Sequence, residues 1–181
     1  VNVVITSGRE LNGLHKYLNE INLTGDNQYL IANNGGTIYK TGNFECIAYM
    51  GLRGRDLIKT YTLSNKIGLN LIAYTLNGSI AGEVNELSKF EVAYVGNPVR
   101  IINFKSDVKD DDKITKIMLS QTEEMLPKKM LEIPKKFYSE YKVVKTMPTL
   151  LEVMNKDCSK GCAVKLLADK LGIKKEEVMS I

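Results

Sequence analysis

Ser7, Gly8 and Lys160 are suited to hold an anion such as phosphate. Ser7 and Gly8 follow a short β-branched run and precede leucines at helical spacing, which predicts a strand-to-helix turn. A hydroxyl and backbone N–H groups at the beginning of a helix bind anions, and the helix dipole strengthens that binding. Lys160 also opens a predicted helix and could add a positive charge to the same anion. From position alone, Ser7 also fits a plain helix N-cap and Lys160 an ordinary surface lysine.

The two ends of the chain have the pattern of strand–helix pairs. Residues 2–5 are typical of a buried parallel strand, and a helix with leucines at helical spacing follows. Residues 29–32 predict a second strand, which ends at the turn sequence Asn-Asn-Gly-Gly. Near the other end, an amphipathic helix is expected from Lys160 to the stop at Gly172, and residues 178–181 predict another buried strand.

The middle of the chain predicts a compact block rich in hairpins. The dipeptide Asn77-Gly78 is the strongest hairpin signal, and it implies antiparallel pairing of the strands on either side. We expect the strands of this block to form one largely antiparallel sheet, with Met125 and Leu131 among the helical side chains facing inward. The expected elements are a helix over residues 55–66, strands over 69–75, 79–83 and 114–119, a helix over 122–131, and strands over 141–147 and 150–154.

Four segments, taken in order, resemble the Cof-type sugar-phosphatase branch of the haloacid dehalogenase superfamily. The resemblance implies an α/β fold with a partial Rossmann-like catalytic core, residues 1–49 and 155–181, and an inserted α+β cap domain, residues 50–154. The four segments are Val3-Val4-Ile5-Thr6-Ser7-Gly8-Arg9, Ile31-Ala32-Asn33-Asn34-Gly35-Gly36-Thr37-Ile38, Ser159-Lys160-Gly161-Cys162-Ala163 and residues 171–181.

The same resemblance assigns roles to individual residues. Ser7 falls where the family hydrogen-bonds the transferred phosphoryl group, and Gly8 offers its N–H to that group. Lys160 falls on the family's catalytic lysine, which neutralises the phosphate and steadies the nucleophile. Arg9 and Asn34 match positions near the mouth of the substrate site. We therefore expect Ser7 and Lys160 to converge on one phosphate-sized anion.

Two family segments are missing from this chain, the Asp-x-Asp-Gly nucleophile segment and the Gly-Asp pair that holds Mg²⁺. Their expected places lie before Asn2 and after Ile181, so both ends look cut and no metal ligand is expected within the chain. The resemblance implies a parent enzyme that hydrolyses a small phosphomonoester, such as a sugar phosphate, through an aspartyl-phosphate with Mg²⁺. The 181 residues alone are expected to be inactive. A non-catalytic phosphate-binding protein and a stand-alone cap-like interaction domain are the alternatives.

Composition narrows the choice of partners and compartment. The 181 residues are 44% apolar and 25% charged with net charge +4, which is ordinary for a globular chain. No apolar run is long enough to cross a membrane, and the lysine pairs 128–129 and 135–136 lack the aromatic platform of a nucleic-acid site. Three cysteines fit no disulfide framework and suggest a reducing cytoplasm. The expected partner is a small phosphorylated metabolite, while the oligomeric state is left open.

Other candidate residues have simpler explanations. His15, the single histidine, suits a helix surface or packing role, because no serine or cysteine triad can be assembled around it. The aspartates of residues 110–112 suit a solvated loop, since consecutive carboxylates point in different directions. Cys158 and Cys162 read as ordinary thiols without further metal ligands, and the Gly8–Gly13 spacing lacks the Gly-Lys-Ser/Thr of a nucleotide loop.

Overall fold

A computed structural model describes residues 2–181 of the chain. Within that range, the eleven strands are β1 (Val4–Thr6), β2 (Tyr29–Ala32), β3 (Thr37–Lys40), β4 (Cys46–Tyr49), β5 (Leu52–Arg53), β6 (Asn70–Thr75), β7 (Gly78–Ala81), β8 (Val99–Ile101), β9 (Lys113–Ser120), β10 (Tyr141–Met147) and β11 (Leu150–Asn155). The seven α-helices are α1 (His15–Glu20), α2 (Gly54–Ile67), α3 (Glu86–Phe90), α4 (Phe104–Asp107), α5 (Leu126–Leu131), α6 (Lys135–Glu140) and α7 (Lys160–Leu171).

The chain divides into two compact units. The first unit combines Val1–Met50 with Asp157–Ile181, and the second unit is Gly51–Lys156. The first contains strands β1 to β4 with helices α1 and α7, and the second contains all the other strands and α-helices named above. No helix of residues 2–181 combines the length and apolar character needed to cross a membrane.

The first unit is built on a four-stranded sheet in the order β1-β2-β3-β4. β1 runs parallel to β2, as predicted, while β2, β3 and β4 pair antiparallel in sequence. Ile31 and Ile38 on this sheet pack against Ala163 and Leu167 of α7, and all four side chains are buried. Burial of these apolar groups fixes α7 against the sheet.

Helix α7 begins and ends where its sequence predicts. The Ser159 hydroxyl accepts a hydrogen bond from the Cys162 N–H at 3.0 Å, which is the N-cap arrangement. At the other end, Gly172 adopts the left-handed conformation (φ 68°) that terminates many helices. The N-cap therefore fixes Lys160 as the first residue of a twelve-residue helix.

The second unit contains a seven-stranded sheet, and its main path is β10-β11-β9-β6-β7-β8 with β5 alongside β9. All its neighbours pair antiparallel except β7 and β8, which are parallel. The hairpin at Asn77-Gly78 is confirmed, and Gly78 has the positive φ of 106° that such turns favour. The expectation of one largely antiparallel sheet is therefore confirmed.

Side chains of that sheet alternate between two faces. Leu71, Ile117 and Leu151 point to one face, where they share a core with Leu57 of α2 and Leu126 of α5. The neighbouring positions in each strand point to the other face, where a smaller cluster includes Leu87 of α3; its sheet residues are Ile72, Tyr74, Ala81 and Leu150. Because successive side chains of a strand point to opposite faces, the register of strand pairing determines which residues lie on each face of the sheet.

Four local expectations were wrong. Ser7 and Gly8 do not open a helix, because α1 begins only at His15, after a loop that follows β1. Residues 178–181 are exposed and form no strand, since no strand of residues 2–181 pairs with their backbone. The helix expected from residue 122 begins at Leu126 instead, because Pro127 is tolerated only in the first turn of a helix. Met125 and Leu131 do not face inward, with 36% and 88% of their surfaces exposed.

Candidate functional site

Ser7 lies directly after β1 and is tied to the loop that follows β2. Its N–H donates to the Ile31 carbonyl at 2.9 Å, and its own carbonyl accepts from the Asn34 N–H at 3.0 Å. The Ser7 hydroxyl oxygen accepts from the Arg9 N–H at 3.1 Å. Because a hydroxyl carries one donor beside its acceptor lone pairs, the Ser7 side chain can still donate its proton to an anion.

The loop after β2 turns in an uncommon conformation. Asn33, Asn34 and Gly35 have consecutive positive φ angles of 52°, 58° and 96°. Asparagine and glycine adopt this left-handed region more readily than other residues do. The Asn33 N–H donates to the Arg9 carbonyl at 2.9 Å, so this turn and the Ser7 loop are hydrogen-bonded at two points.

Gly8 lies against the side chain of Asn34. A Cβ atom added at Gly8 would come within 2.6 Å of Asn34 Oδ1, so a larger residue would displace the amide. The half-buried Asn34 therefore sits over the backbone of Gly8. Two residues that the sequence assigned to the same site are thus neighbours.

The start of α7 contacts the turn at residues 33–35. A Cβ atom at Gly35 would lie 2.2 Å from the Ser159 carbonyl oxygen and 3.0 Å from the Lys160 nitrogen. The buried Cys158 thiol donates to the Asn34 carbonyl at 3.5 Å. We call residues 7–9, 33–35 and 158–160 the loop cluster. Within it, one left-handed turn contacts both the Ser7–Gly8 loop and the backbone at Lys160.

The side chains of Lys160 and Arg9 are both exposed. The Arg9 guanidinium lies over the ring of Tyr17 on α1, 5.4 Å from its centroid. Lys160 stands at the N-terminus of α7, where the helix dipole favours negative charge. The residues of the loop cluster thus include a hydroxyl, backbone N–H groups and an ammonium group, which are donor types suited to phosphate.

The sequence of the whole chain, residues 1–181, matches the family model described as haloacid dehalogenase-like hydrolase. The chain belongs to that family. It is 31% identical over 183 residues to "Putative phosphatase YxeH" of Bacillus subtilis, a match that covers 100% of the chain and 67% of the relative. Its structure resembles a haloacid dehalogenase-like hydrolase from Bacteroides thetaiotaomicron, with TM-score 0.83 and 19% identity over 98% of this chain and 67% of that one. It also resembles the subclass IIB sugar phosphatase BT4131, with TM-score 0.72 and 19% identity over 98% and 65% of the two chains.

These similarities confirm the resemblance to the Cof-type branch and the expected α/β fold class. The two structural likenesses show the fold alone, because both are at 19% identity. The phosphatase names belong to the relatives, and the chain spans 67% of the length of the first curated one.

Sequence reasoning missed several residues that build the loop cluster. Gly35 leaves room for the backbone of Ser159, and Cys158 packs beneath Asn34. The Asn-Asn-Gly sequence signals left-handed conformations, so the role of Gly35 was detectable. No sequence signal marks Cys158, whose contact partner lies 124 positions away along the chain.

Hydrogen bonds between buried side chains link the left-handed turn to strand β3. Asn33 Nδ2 donates to the Thr37 hydroxyl at 3.1 Å, and Thr37 also hydrogen-bonds the hydroxyl of Tyr39. All three residues are at most 4% exposed. Burial raises the pKa of Tyr39 to about 12, so its hydroxyl remains protonated at neutral pH.

The remaining candidates lie outside this arrangement or lack partners for chemistry. The His15 ring stacks on Phe44 with centroids 4.3 Å apart, which is a packing contact. Asp112 accepts from the Lys109 N–H in an exposed loop of the second unit. Cys162 is exposed on the first turn of α7, whereas Cys158 is buried. Across residues 2–181, no three His, Cys, Asp or Glu side chains are grouped to hold a metal ion.

Proposed function

We propose that this chain belongs to a phosphatase that hydrolyses a small phosphomonoester, such as a sugar phosphate, and that its loop cluster holds the phosphate group. The observation that carries the proposal is the left-handed turn at residues 33–35, which contacts both the Ser7–Gly8 loop and the backbone at Lys160. Membership of a hydrolase family with phosphatase-named relatives supports it. The sugar phosphatase of the same fold supports the substrate class.

In this proposal each residue has one role toward the phosphate. The Ser7 hydroxyl and the Gly8 N–H donate hydrogen bonds to phosphoryl oxygens, as backbone and hydroxyl donors at anion sites do. Lys160 is the catalytic residue of this chain, and its ammonium offsets the charge that develops on those oxygens. Arg9 and Asn34 contact the rest of the substrate at the mouth of the site. The first unit then acts as part of the catalytic core, and the second unit as the cap.

The bond-making step needs a nucleophile that the loop cluster does not contain. We propose that an aspartate outside the 181 residues attacks phosphorus, that the ester P–O bond breaks, and that water hydrolyses the resulting aspartyl-phosphate. The family resemblance also implies Mg²⁺ in the complete enzyme. The residues of the described range do not fit a Mg²⁺ site, so the role derived for this chain is restricted to holding and neutralising phosphate. We further propose a cytoplasmic enzyme that acts on a small phosphorylated metabolite.

Phosphate binding and turnover test this proposal separately. Inorganic phosphate titrated into the 181-residue chain should shift the amide NMR signals of Gly8 and Lys160, and Ser7→Ala and Lys160→Ala should each weaken that binding. Hydrolysis of an aryl phosphate with Mg²⁺ should stay at background for the 181 residues and appear in a polypeptide extended at both ends. In the extended enzyme, Lys160→Ala should lower turnover by about 10²-fold or more, as expected when a preorganised charge is removed. Robust turnover by the 181 residues alone would contradict the proposal.

A further inference from the structure

The geometry points to Asn33 as a positioning residue that sets the spacing between the Ser7–Gly8 loop and the start of α7. This inference rests on the phosphate-holding function proposed above and adds a residue that contacts no substrate in that proposal. Asn33 was not among the residues that the sequence singled out for the site. Its backbone and its side chain are each anchored separately.

The backbone of Asn33 is held in a costly conformation. Its φ of 52° begins a run of three left-handed residues, and such a run persists only where the surroundings enforce it. The Asn33 N–H donates to the Arg9 carbonyl at 2.9 Å, and the next N–H, of Asn34, donates to the Ser7 carbonyl at 3.0 Å. The conformation of Asn33 is therefore coupled directly to the position of the Ser7 loop.

The side chain of Asn33 points into the interior of the first unit, where it is 2% exposed. Its Nδ2 donates to the Thr37 hydroxyl at 3.1 Å, and Thr37 in turn hydrogen-bonds Tyr39. Asn33 Oδ1 is buried and accepts no hydrogen bond from residues 2–181. The bond to Thr37 is thus the polar anchor of the amide, and it joins the turn to strand β3.

A displacement of this turn would reach both halves of the proposed phosphate site. Asn34 lies against Gly8 on one side, and Gly35 lies against the backbone of Ser159 and Lys160 on the other. Phosphate donors must be placed within a fraction of an ångström to act together, and a misplacement of about 1 Å can cost 10²-fold in activity. Asn33 therefore acts on phosphate through the spacing of Ser7 and Lys160.

Phosphate titration of the 181-residue chain, followed by the amide signals of Gly8 and Lys160, tests the inference. Asn33→Gly keeps access to positive φ and removes the amide anchor, so the Kd for inorganic phosphate should rise about tenfold, comparable to the smaller losses that follow removal of a partner that orients a metal ligand. The matched control is Asn22→Gly at the end of α1. Asn22 is also left-handed (φ 54°) but exposed, so its Kd should stay within about twofold of the parent.

A second pair of variants separates positioning from stability and remains informative if Asn33→Gly does not fold. Thr37→Val keeps the volume of the side chain but removes the hydroxyl, and its Kd should also rise about tenfold. Thr37→Ser keeps the hydroxyl and loses a buried methyl group, so its Tm should fall while its Kd stays within about twofold of the parent.

The outcomes distinguish this inference from the function on which it rests. Parental Kd values for Asn33→Gly and Thr37→Val, combined with weakened binding by Ser7→Ala and Lys160→Ala, would overturn the inference and leave the phosphate site in place. A chain that binds phosphate equally well without Ser7 and Lys160, or not at all, would overturn both. A Kd that follows Tm across all four variants at residues 22, 33 and 37 would also overturn the positioning role.

Discussion

Replacing Gly35 by alanine tests how tightly the loop cluster is assembled. The new Cβ would lie 2.2 Å from the Ser159 carbonyl oxygen and 2.5 Å from its carbonyl carbon, distances that real Cβ atoms do not show. Alanine at a φ of 96° is also strained, because its Cβ crowds the backbone carbonyl in left-handed conformations, at a cost of about 1–2 kcal/mol. Overpacking against backbone adds about 1–3 kcal/mol, because α7 cannot move without disturbing its buried contacts. We therefore expect Gly35→Ala to lower the free energy of unfolding of the first unit by about 2–5 kcal/mol.

Gly172→Ala is the matched control for this experiment. Gly172 lies in the same unit, has a φ of 68°, and a Cβ added there would meet no atom within 4 Å. Gly172→Ala should lower the free energy of unfolding only by the backbone strain of alanine at positive φ, about 1 kcal/mol. Urea denaturation, followed by NMR signals of the first unit, gives both values. The crowding between Gly35 and Ser159 would be refuted by equal losses of stability in the two variants.

Two further predictions concern buried polar groups. Lys116→Met should destabilise the second unit by about 3–5 kcal/mol, because Lys116 and Glu152 form an ion pair at 3.0 Å whose side chains are only 7% and 9% exposed, and the substitution removes the ammonium that faces a buried carboxylate. Adding Glu152→Leu should recover most of that loss, as measured by urea denaturation; a double variant as unstable as the single one would contradict this. For Tyr39, the pKa is raised from 10.0 to about 12 in the folded chain, so the protonated form is favoured by folding and its contribution is complete below pH 10. Stability should therefore fall as pH rises from about 10 through 12. Tyr39→Phe should flatten this part of the pH profile of unfolding.

The sequence predicted elements well where local pattern and turn chemistry agree. Strand β2 and helix α7 appear at the expected residues, since each is bounded by strong signals such as Asn33-Asn34 or Ser159 and Gly172. Short elements were missed because they contain too few residues to show a periodic pattern of apolar side chains. The edge strand β8 has three residues, and it exists because its backbone pairs with β7. Such pairing is a tertiary contact that no local window contains.

In the candidate site, too, some residues are predicted by the sequence and others are revealed only by long-range contacts. Ser7, Gly8 and Lys160 were identified by predicted helix starts and by resemblance, and of the three only Lys160 opens a helix. The residues that bring them together act through long-range contacts: Gly35 touches Ser159, and the Cys158 thiol donates to Asn34. Asn33 reads as a turn residue, and its link to Thr37 depends on the inward rotation of its side chain. Sequence patterns therefore indicate candidate binding groups, whereas the spacing between those groups depends on how the loops pack.

The distribution of charge between the two units favours an anionic ligand for the loop cluster. In the second unit, Lys116 is neutralised inside the protein by Glu152. In the first unit, Lys160 lies at the N-terminus of a twelve-residue helix. Its side chain is exposed and forms no ion pair with another of residues 2–181. The Ser7 hydroxyl, which accepts from Arg9, retains a proton to donate. The hydroxyl can donate a hydrogen bond to an anion, and the helix N-terminus and the ammonium both attract negative charge. A phosphate group is an anion of the kind that all three bind, which is why we propose it as the ligand of the loop cluster.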